Sequence, residues 1–287
     1  MIIHGLEQHL IDQFKGKTVL VKYGGNAMLN NELKRSVVSD ICYLHDLGIH
    51  PVVVHGGGPF INDMLEKMNI KSEFIDGQRK TTPEALMYIE MVLKGKVNSD
   101  LVAIINSFGK RAVGLSGKDG KMATAVKRNH IRKINGTTEN IDLERVGDIT
   151  SVTTGLINLL TQEGYIPVIA SIASGDDHLD YNINADMFAG HLAGTLQAEA
   201  YIAITDVDGL MQNPKDSSTL IREINSTEAE QLQKTIASGG MIPKMDSCII
   251  ALNGGVKNIR IINGTIKHSI LLELFTTQRI GTLIRPV

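Results

Sequence analysis

The chain reads as an α/β protein: a three-layer α/β/α sandwich around a mainly parallel sheet, preceded by an N-terminal extension helix. Three observations predict it. First, the β-branched run Val52-Val53-Val54, of the kind buried on both faces of a parallel sheet, stops at Gly56-Gly57-Gly58, and Pro59 then suits the first turn of a helix. Second, the apolar run at 18–23 connects to that strand through helical spacing at Leu33, Val37, Ile41, Leu44 and Leu47, ended by Gly48. Such a strand-helix-strand unit requires parallel pairing with a right-handed crossover. Third, the same alternation returns in the second half, after residue 184.

Taken in order, residues 2–14 place Ile3, Leu6, Leu10, Ile11 and Phe14 at helical spacing. This amphipathic helix lies outside the main body and packs either on its own core or on a neighbouring subunit. Gly16-Lys17-Thr18 is not a P-loop, because the required glycine is replaced by Ile11 and the triplet precedes a strand. Beyond the helix opened by Pro59, residues 75–82 read as a glycine-containing loop. Pro83 opens a helix with Ala85, Leu86, Ile89 and Val92, and another follows through Leu101, Ile104 and Ile105. Short runs at 112–115, 122–126 and 149–152 suggest hairpins on one side of the sheet. A helix at 156–160 leads to a strand at 166–172. Asn184 begins a helix, 201–205 is a strand, 226–236 a charged helix, Pro243 opens one more, and 259–262 is a strand before apolar segments at 271–275 and 282–284.

The 287 residues contain no linker, repeat or low-complexity run, so one compact body with two lobes is expected. With 43% apolar and 21% charged residues the chain can bury a large core. Its net charge of −2, with scattered basic residues, gives no footprint for nucleic acid, which leaves a small ligand. Cys42 and Cys248 sit in apolar helical patterns and fit buried free thiols; the nine histidines form no H-E-x-x-H, so no bound metal is expected. No apolar run is long enough to span a bilayer, and neither a signal-peptide h-region nor a transit-peptide bias is present, so the protein is expected to work where it is made.

Ligands of parallel sheets collect at the carboxyl ends of the strands, which selects 22–25, 56–58 and 206–209 together. Three consecutive glycines expose backbone N–H groups to an anion at a helix start, although a tight turn alone would need one. Lys22 ends a strand that is otherwise apolar, and its ammonium must reach water or an anion. Lys244 follows Pro243 in a first helical turn, where positive charge opposes the macrodipole unless a bound anion reverses the penalty. Asn182 and Asp186 share a face if a helix begins near 182. Asp186 is then either a simple dipole partner or the group that stands between two lysines. Arg79 offers a forked guanidinium for a carboxylate, or is an ordinary surface arginine.

These residues fall in seven ordered blocks: VLVKYGGNAM at 19–28, VVVHGGGPFIN at 52–62, IDGQRKTT at 75–82, GLSGKDG at 114–120, YNINADMFAG at 181–190, ITDVDGL at 204–210 and GGMIPKMDSC at 239–248. Together they resemble the N-acetylglutamate kinases of the amino-acid kinase family over nearly the whole chain. The resemblance implies the amino-acid kinase fold and phosphoryl transfer from ATP with Mg²⁺ to the γ-carboxylate of N-acetyl-L-glutamate. It assigns Lys22 and Lys244 to transition-state stabilisation and Asp186 to organising them. Gly57, Gly58, Arg79 and Asn182 fall to acetylglutamate, and Gly24, Gly25, Asp206 and Met241 to the phosphoryl and nucleotide region. It further implies an oligomerisation helix at 1–16, an acetylglutamate lobe at 17–180 and an ATP lobe at 181–287. The extension helix resembles that of arginine-inhibited homohexamers, trimers of dimers. HSILLELFTTQRIGT at 268–282 resembles their arginine site, with His268, Glu273 and Gly281 as candidates and a departure at Arg279. A PII-type signalling protein is a further implied partner, and the setting is cytoplasmic, or plastid stroma for a plastid-encoded chain. Kinases of the same fold acting on carbamate, aspartate or uridylate, and an idle arginine sensor, are the alternatives.

Overall fold

The computed structural model describes residues 5–134, 137–213, 216–235 and 240–287. Helix α1 (Gln8–Asp12) is shorter than the expected 2–14, of which Ile3 lies outside the described residues. It does not stand apart from the body: Ile11 and Phe14 are buried in the main core, and Phe14 meets Phe275 edge-on at 5.9 Å.

Strands β1 (Thr18–Tyr23) and β2 (His50–His55) pair in parallel across α2 (Asn31–Asp46), whose first turn is capped by the Asn30 side chain. After α3 (Gly58–Lys67), the expected loop is a hairpin of β3 (Glu73–Ile75) and β4 (Gln78–Lys80). Asp76 and Gly77 both take positive φ (48° and 78°), as a two-residue hairpin turn demands. Helices α4 (Pro83–Glu90) and α5 (Ser99–Ser107) are not separate, since the π-helical stretch Met91–Asn98 joins them without a break.

β5 (Ala112–Ser116) is no hairpin strand but an edge of the central sheet. The other two short runs belong to β6 (Ala123–Ile134) and β7 (Thr137–Val152), strands much longer than expected. After α6 (Gly155–Gln162), the run at 166–172 is split into β8 (Ile166–Ala170) and β9 (Ile172–Gly175), and β9 closes a small barrel with β6, β7 and β10 (Asp180–Ile183). The expected lobe boundary at 180/181 therefore falls inside a strand.

The second half follows as α7 (Ala185–Thr195), β11 (Ala200–Thr205), β12 (Glu223–Asn225), α8 (Ser226–Thr235), α9 (Met241–Asn253), β13 (Asn258–Asn263), α10 (Ser269–Phe275) and β14 (Thr282–Arg285). Residue 236, expected in the charged helix, lies outside the described residues, as does Gly239. The main sheet has the order β12-β14-β13-β11-β1-β2-β8-β5, parallel except for β13 against β14. Because strand side chains alternate, Val19 and Val21 face α2 and α10 while Leu20 and Lys22 face α7 and α9. No described helix is long and apolar enough to cross a membrane.

Candidate active site

Lys22 is the fifth residue of β1, opposite Val54 and Ala203, near the carboxyl end of the sheet. A side chain at Gly24 would begin 3.1 Å from its Nζ, so this glycine leaves the ammonium room. Asp186 is placed by an N-cap: the Asn184 side-chain oxygen accepts from the N–H groups of Asp186 (2.9 Å) and Met187 (3.2 Å), starting α7 at a fixed point. Asn182 consequently lies on β10, not on the helix with Asp186. Helix α9 begins at Met241, two residues before Pro243, a position proline tolerates because first-turn N–H groups have no helical acceptor.

Sequence reasoning missed what brings α7 and α9 together. An added Cβ at Gly190 would sit 2.5 Å from the Ser247 carbonyl oxygen, and one at Gly194 3.0 Å from Gly254 Cα. The helices thus meet backbone to backbone. The available signal was Gly190 and Gly194, four apart on one helix face.

This contact delivers Lys244 to Asp186. Lys22 Nζ is 2.9 Å from Asp186 Oδ1, and Lys244 Nζ is 3.3 Å from Oδ2. The three side chains are only 7%, 8% and 14% exposed for Lys22, Asp186 and Lys244. Burial pushes the Asp186 carboxyl up, but the two ammonium groups more than offset this and hold it below the usual carboxylate value. Burial lowers Lys22, Lys244 lowers it further, and Asp186 and Asp206 oppose both. Oδ2 accepts a hydrogen bond from Lys244, while Oδ1 is ion-paired with Lys22 without hydrogen-bond geometry, so one carboxylate stands between both ammonium groups and suits Asp186 to orienting them. Asp206, just beyond β11, reaches the same loop: a Cβ on Gly25 (φ +78°) would lie 2.7 Å from its Oδ1. Met241 opens α9.

Gly57 is the N-cap of α3 and Gly58 its first residue, beside the end of β2. Arg79, on β4, is buried; its guanidinium stacks 4.5 Å from the Phe74 ring and donates to Ser72 Oγ and Asn62 Oδ1. Burial pushes its pKa down to about 10. Thr81, another residue not singled out, links Arg79 to β10: its hydroxyl donates to the Arg79 carbonyl (3.0 Å) and accepts from Asn182 Nδ2 (3.3 Å). Asn62, Arg79, Thr81 and Asn182 thus form one connected series between α3 and β10.

The remaining candidates lie on the other face of the sheet, where α10 packs. Glu273 is fully engaged, with Arg260 Nη1 at 2.8 Å from Oε1 and the N–H groups of Ile280 and Gly281 each 2.9 Å from Oε2. His268, with left-handed backbone (φ +59°), pairs through Nδ1 with Asp40 at 2.7 Å. Arg279 pairs with Glu223.

A parallel sheet whose strand ends gather a Lys-Asp-Lys cluster and a glycine turn defines an α/β enzyme that handles anions. The Amino acid kinase family model matches residues 17–263, and the chain belongs to that family. It is 47% identical over 276 residues to the acetylglutamate kinase of Heliobacterium modesticaldum, covering 96% of this chain and 94% of that one. With the acetylglutamate kinase of Clostridium beijerinckii it shares 46% identity, with coverage of 99% and 96%. Among solved structures, the Neisseria gonorrhoeae N-acetylglutamate synthase complexed with coenzyme A and N-acetyl-glutamate superposes with a TM-score of 0.82 at 26% identity. The match covers 97% of this chain but 62% of the synthase, so this chain spans less than two thirds of that protein. A Giardia carbamate kinase superposes with a TM-score of 0.69 at 19% identity, covering 95% and 99%, a likeness of fold alone. The chain is an enzyme, a kinase.

Proposed function

We propose that this kinase transfers the γ-phosphoryl group of ATP, bound as its Mg²⁺ complex, to the γ-carboxylate of N-acetyl-L-glutamate. The product is N-acetyl-L-glutamyl 5-phosphate, a step toward arginine or ornithine. The observation that carries the reading is the buried Asp186 carboxylate holding Lys22 and Lys244 at 2.9 and 3.3 Å on one face of the sheet.

The acceptor carboxylate, with a reference pKa of about 4.3, is already ionised at neutral pH and needs no general base. One of its oxygens attacks the γ-phosphorus as the bond to the bridging oxygen of ADP breaks. The obstacle is the mutual repulsion of two anions. Lys22 and Lys244 neutralise charge on the phosphoryl oxygens and on the leaving ADP, while Asp186 keeps both ammonium groups oriented and takes no proton. Gly24 and Gly25 line the phosphoryl path, and Asp206 and Met241 belong to the nucleotide pocket. Gly57 and Gly58 offer N–H groups at the start of α3, and Arg79 and Asn182 hold the acceptor's carboxylate and polar groups. A Cβ on Gly58 would meet no other atom of this chain within 4 Å, so the space beside this N–H is open to a ligand. In this reading residues 17–180 chiefly serve acetylglutamate and 181–287 chiefly serve ATP, with Asn182 and the Gly24-Gly25 loop acting across that division.

Feedback inhibition by arginine, a homohexamer built through residues 1–16, and binding of a PII-type protein extend the same reading, in cytoplasm or plastid stroma. For the arginine site at His268, Glu273 and Gly281, the ligand would have to displace Arg260 from Glu273. An ADP-release assay with acetylglutamate, carbamate and aspartate as acceptors, with hydroxylamine to trap the acyl phosphate, tests the central claim. Trapped product from acetylglutamate is expected; turnover confined to another acceptor refutes it.

A further inference from the structure

The π-helical stretch Met91–Asn98 directs three side chains at the end of β2. At 3.6 residues per turn, an α-helix would set residue 98 about 140° around the axis from residue 93. The i to i+5 repeat of a π-helix stacks them on one side instead. Leu93 and Val97 press on Gly57, where an added Cβ would lie 2.7 Å from Leu93 Cδ2 and 3.2 Å from Val97 Cγ2. Asn98, 2% exposed, reaches His55, which is fully buried at the carboxyl end of β2.

The hydrogen bonds around these two residues favour one ring tautomer. Asn98 Nδ2 lies 2.8 Å from the Val168 carbonyl oxygen, 3.4 Å from that of Leu115 and 2.9 Å from His55 Nε2. Reversing the amide would set Oδ1 against two carbonyl oxygens, so the NH₂ group faces them, and its two protons go to the two near acceptors, the Val168 carbonyl oxygen and His55 Nε2. That nitrogen is therefore bare, and the proton sits on Nδ1, 2.9 Å from the Gly56 carbonyl oxygen, to which it donates. A second ring proton would point at the Asn98 amine. Burial, together with the positive charge of Lys94 on the same π-helical stretch, lowers the imidazole to about 4, in keeping with a neutral ring.

In a trans peptide the C=O and the following N–H point in opposite directions. Holding the Gly56 carbonyl toward His55 turns the Gly57 N–H away from that ring. We propose that His55, its tautomer set by Asn98, is a positioning residue that aims the Gly57 N–H at the acceptor carboxylate, with the π-helical stretch as its platform. The proposal rests on the acetylglutamate reading above.

The test compares two substitutions that each keep one half of the ring's hydrogen bonding. An Asn amide nitrogen overlays His Nδ1, so His55→Asn keeps a donor for Gly56. A Gln amide overlays Nε2, so His55→Gln keeps an acceptor for Asn98 and loses that donor. His55→Gln is expected to raise KM for acetylglutamate about tenfold, the scale of one lost hydrogen bond, with kcat and KM for ATP within about twofold of wild type. His55→Asn is expected to stay near wild type. Equal effects of the two, or a change mainly in kcat or in KM for ATP, overturn the proposal. Nitrogen-15 NMR of the wild-type ring supplies a readout independent of substrate. A bare Nε2 that does not titrate between pH 5.5 and 8 is expected, and a ring protonated on Nε2 refutes the tautomer argument. If wild-type enzyme fails to phosphorylate acetylglutamate, the substrate reading falls, while the ring nitrogens still decide whether Asn98 sets the tautomer.

Discussion

Lys22 Nζ stands 2.9 Å from Asp186 Oδ1, one group from the first strand of the sheet and the other from the first turn of α7, both almost without solvent. Two ammonium groups around one buried carboxylate form a unit in which no member is tolerated alone. In the fold the Asp186 carboxyl is held below its ordinary value, so between the two values the native state binds fewer protons than the unfolded chain. The resulting stabilisation is fully present above about pH 4 and is lost as pH falls through the lowered native value. Asp186→Asn should therefore cost about 3–5 kcal/mol at pH 7, and the deficit should shrink in acid. Urea titrations at pH 7 and pH 3 measure both; equal stability at pH 7 would mean that the lysines do not depend on this carboxylate.

In the proposed reaction Lys244 bears on catalysis more than on folding. Its side chain is the most exposed of the three and lies one turn into α9, so its loss leaves the α7–α9 contact intact. Lys244→Ala should lower kcat by about 10²–10³, as expected for removing one preorganised electrostatic group, with KM for acetylglutamate within a few-fold. Steady-state kinetics alongside circular dichroism decides the matter, and near-normal turnover in a folded variant rules out the assigned role.

The parts of this site that sequence made legible are those where burial and chemistry coincide. Val52 to Val54 are apolar because both sheet faces are covered, and the glycine turn and Pro59 then punctuate the strand visibly. Lys22 stood out because it interrupts an apolar strand. By contrast, β6 and β7 carry their charges outward and pair them across the hairpin, Lys127 with Asp142 at 2.8 Å and Arg128 with Asp148 at 2.6 Å. Their middle sections therefore lack an apolar period. The condition that would put Asn182 on a helix face with Asp186 fails because the helix start is set by Asn184, a local hydrogen-bonding choice that hydrophobic spacing does not register. Asp76-Gly77 is a two-residue hairpin signature, but β3 and β4 are three residues each, too short to show an alternating pattern beside it. The π-helical stretch has no sequence mark at all, since Leu93 and Val97 are equally compatible with an α-helix.

The Arg260–Glu273 pair separates a structural role from a regulatory one. Both groups are buried, every Glu273 oxygen is used inside the protein, and a Cβ on Gly281 would lie 2.4 Å from the Ile261 carbonyl oxygen. Glu273→Ala should destabilise by about 3–5 kcal/mol while kcat at a permissive temperature is retained, because the pair lies across the sheet from Lys22. Thermal melts with and without free arginine distinguish the roles. A ligand site predicts an arginine-dependent rise in Tm for wild type that Glu273→Gln loses, whereas a purely structural pair predicts no rise in either.

The N-terminal segment allows a cleaner test of assembly than its complete removal. Ile11 and Phe14 are buried against this chain's own α10, and the Glu7 N–H donates to the Phe275 carbonyl at 2.8 Å, so a deletion running to residue 14 would damage the protomer itself. Removing residues 1–6 spares those contacts and takes away Ile3, an apolar position of the proposed docking face, together with Leu6, which is half-buried against the chain's own core. If the segment joins dimers into a hexamer, the mass by light scattering should fall from six chains to two, with Tm lowered by only a few degrees and kcat unchanged. A mass that stays the same after the deletion removes the docking role and leaves α1 as a strut of its own core.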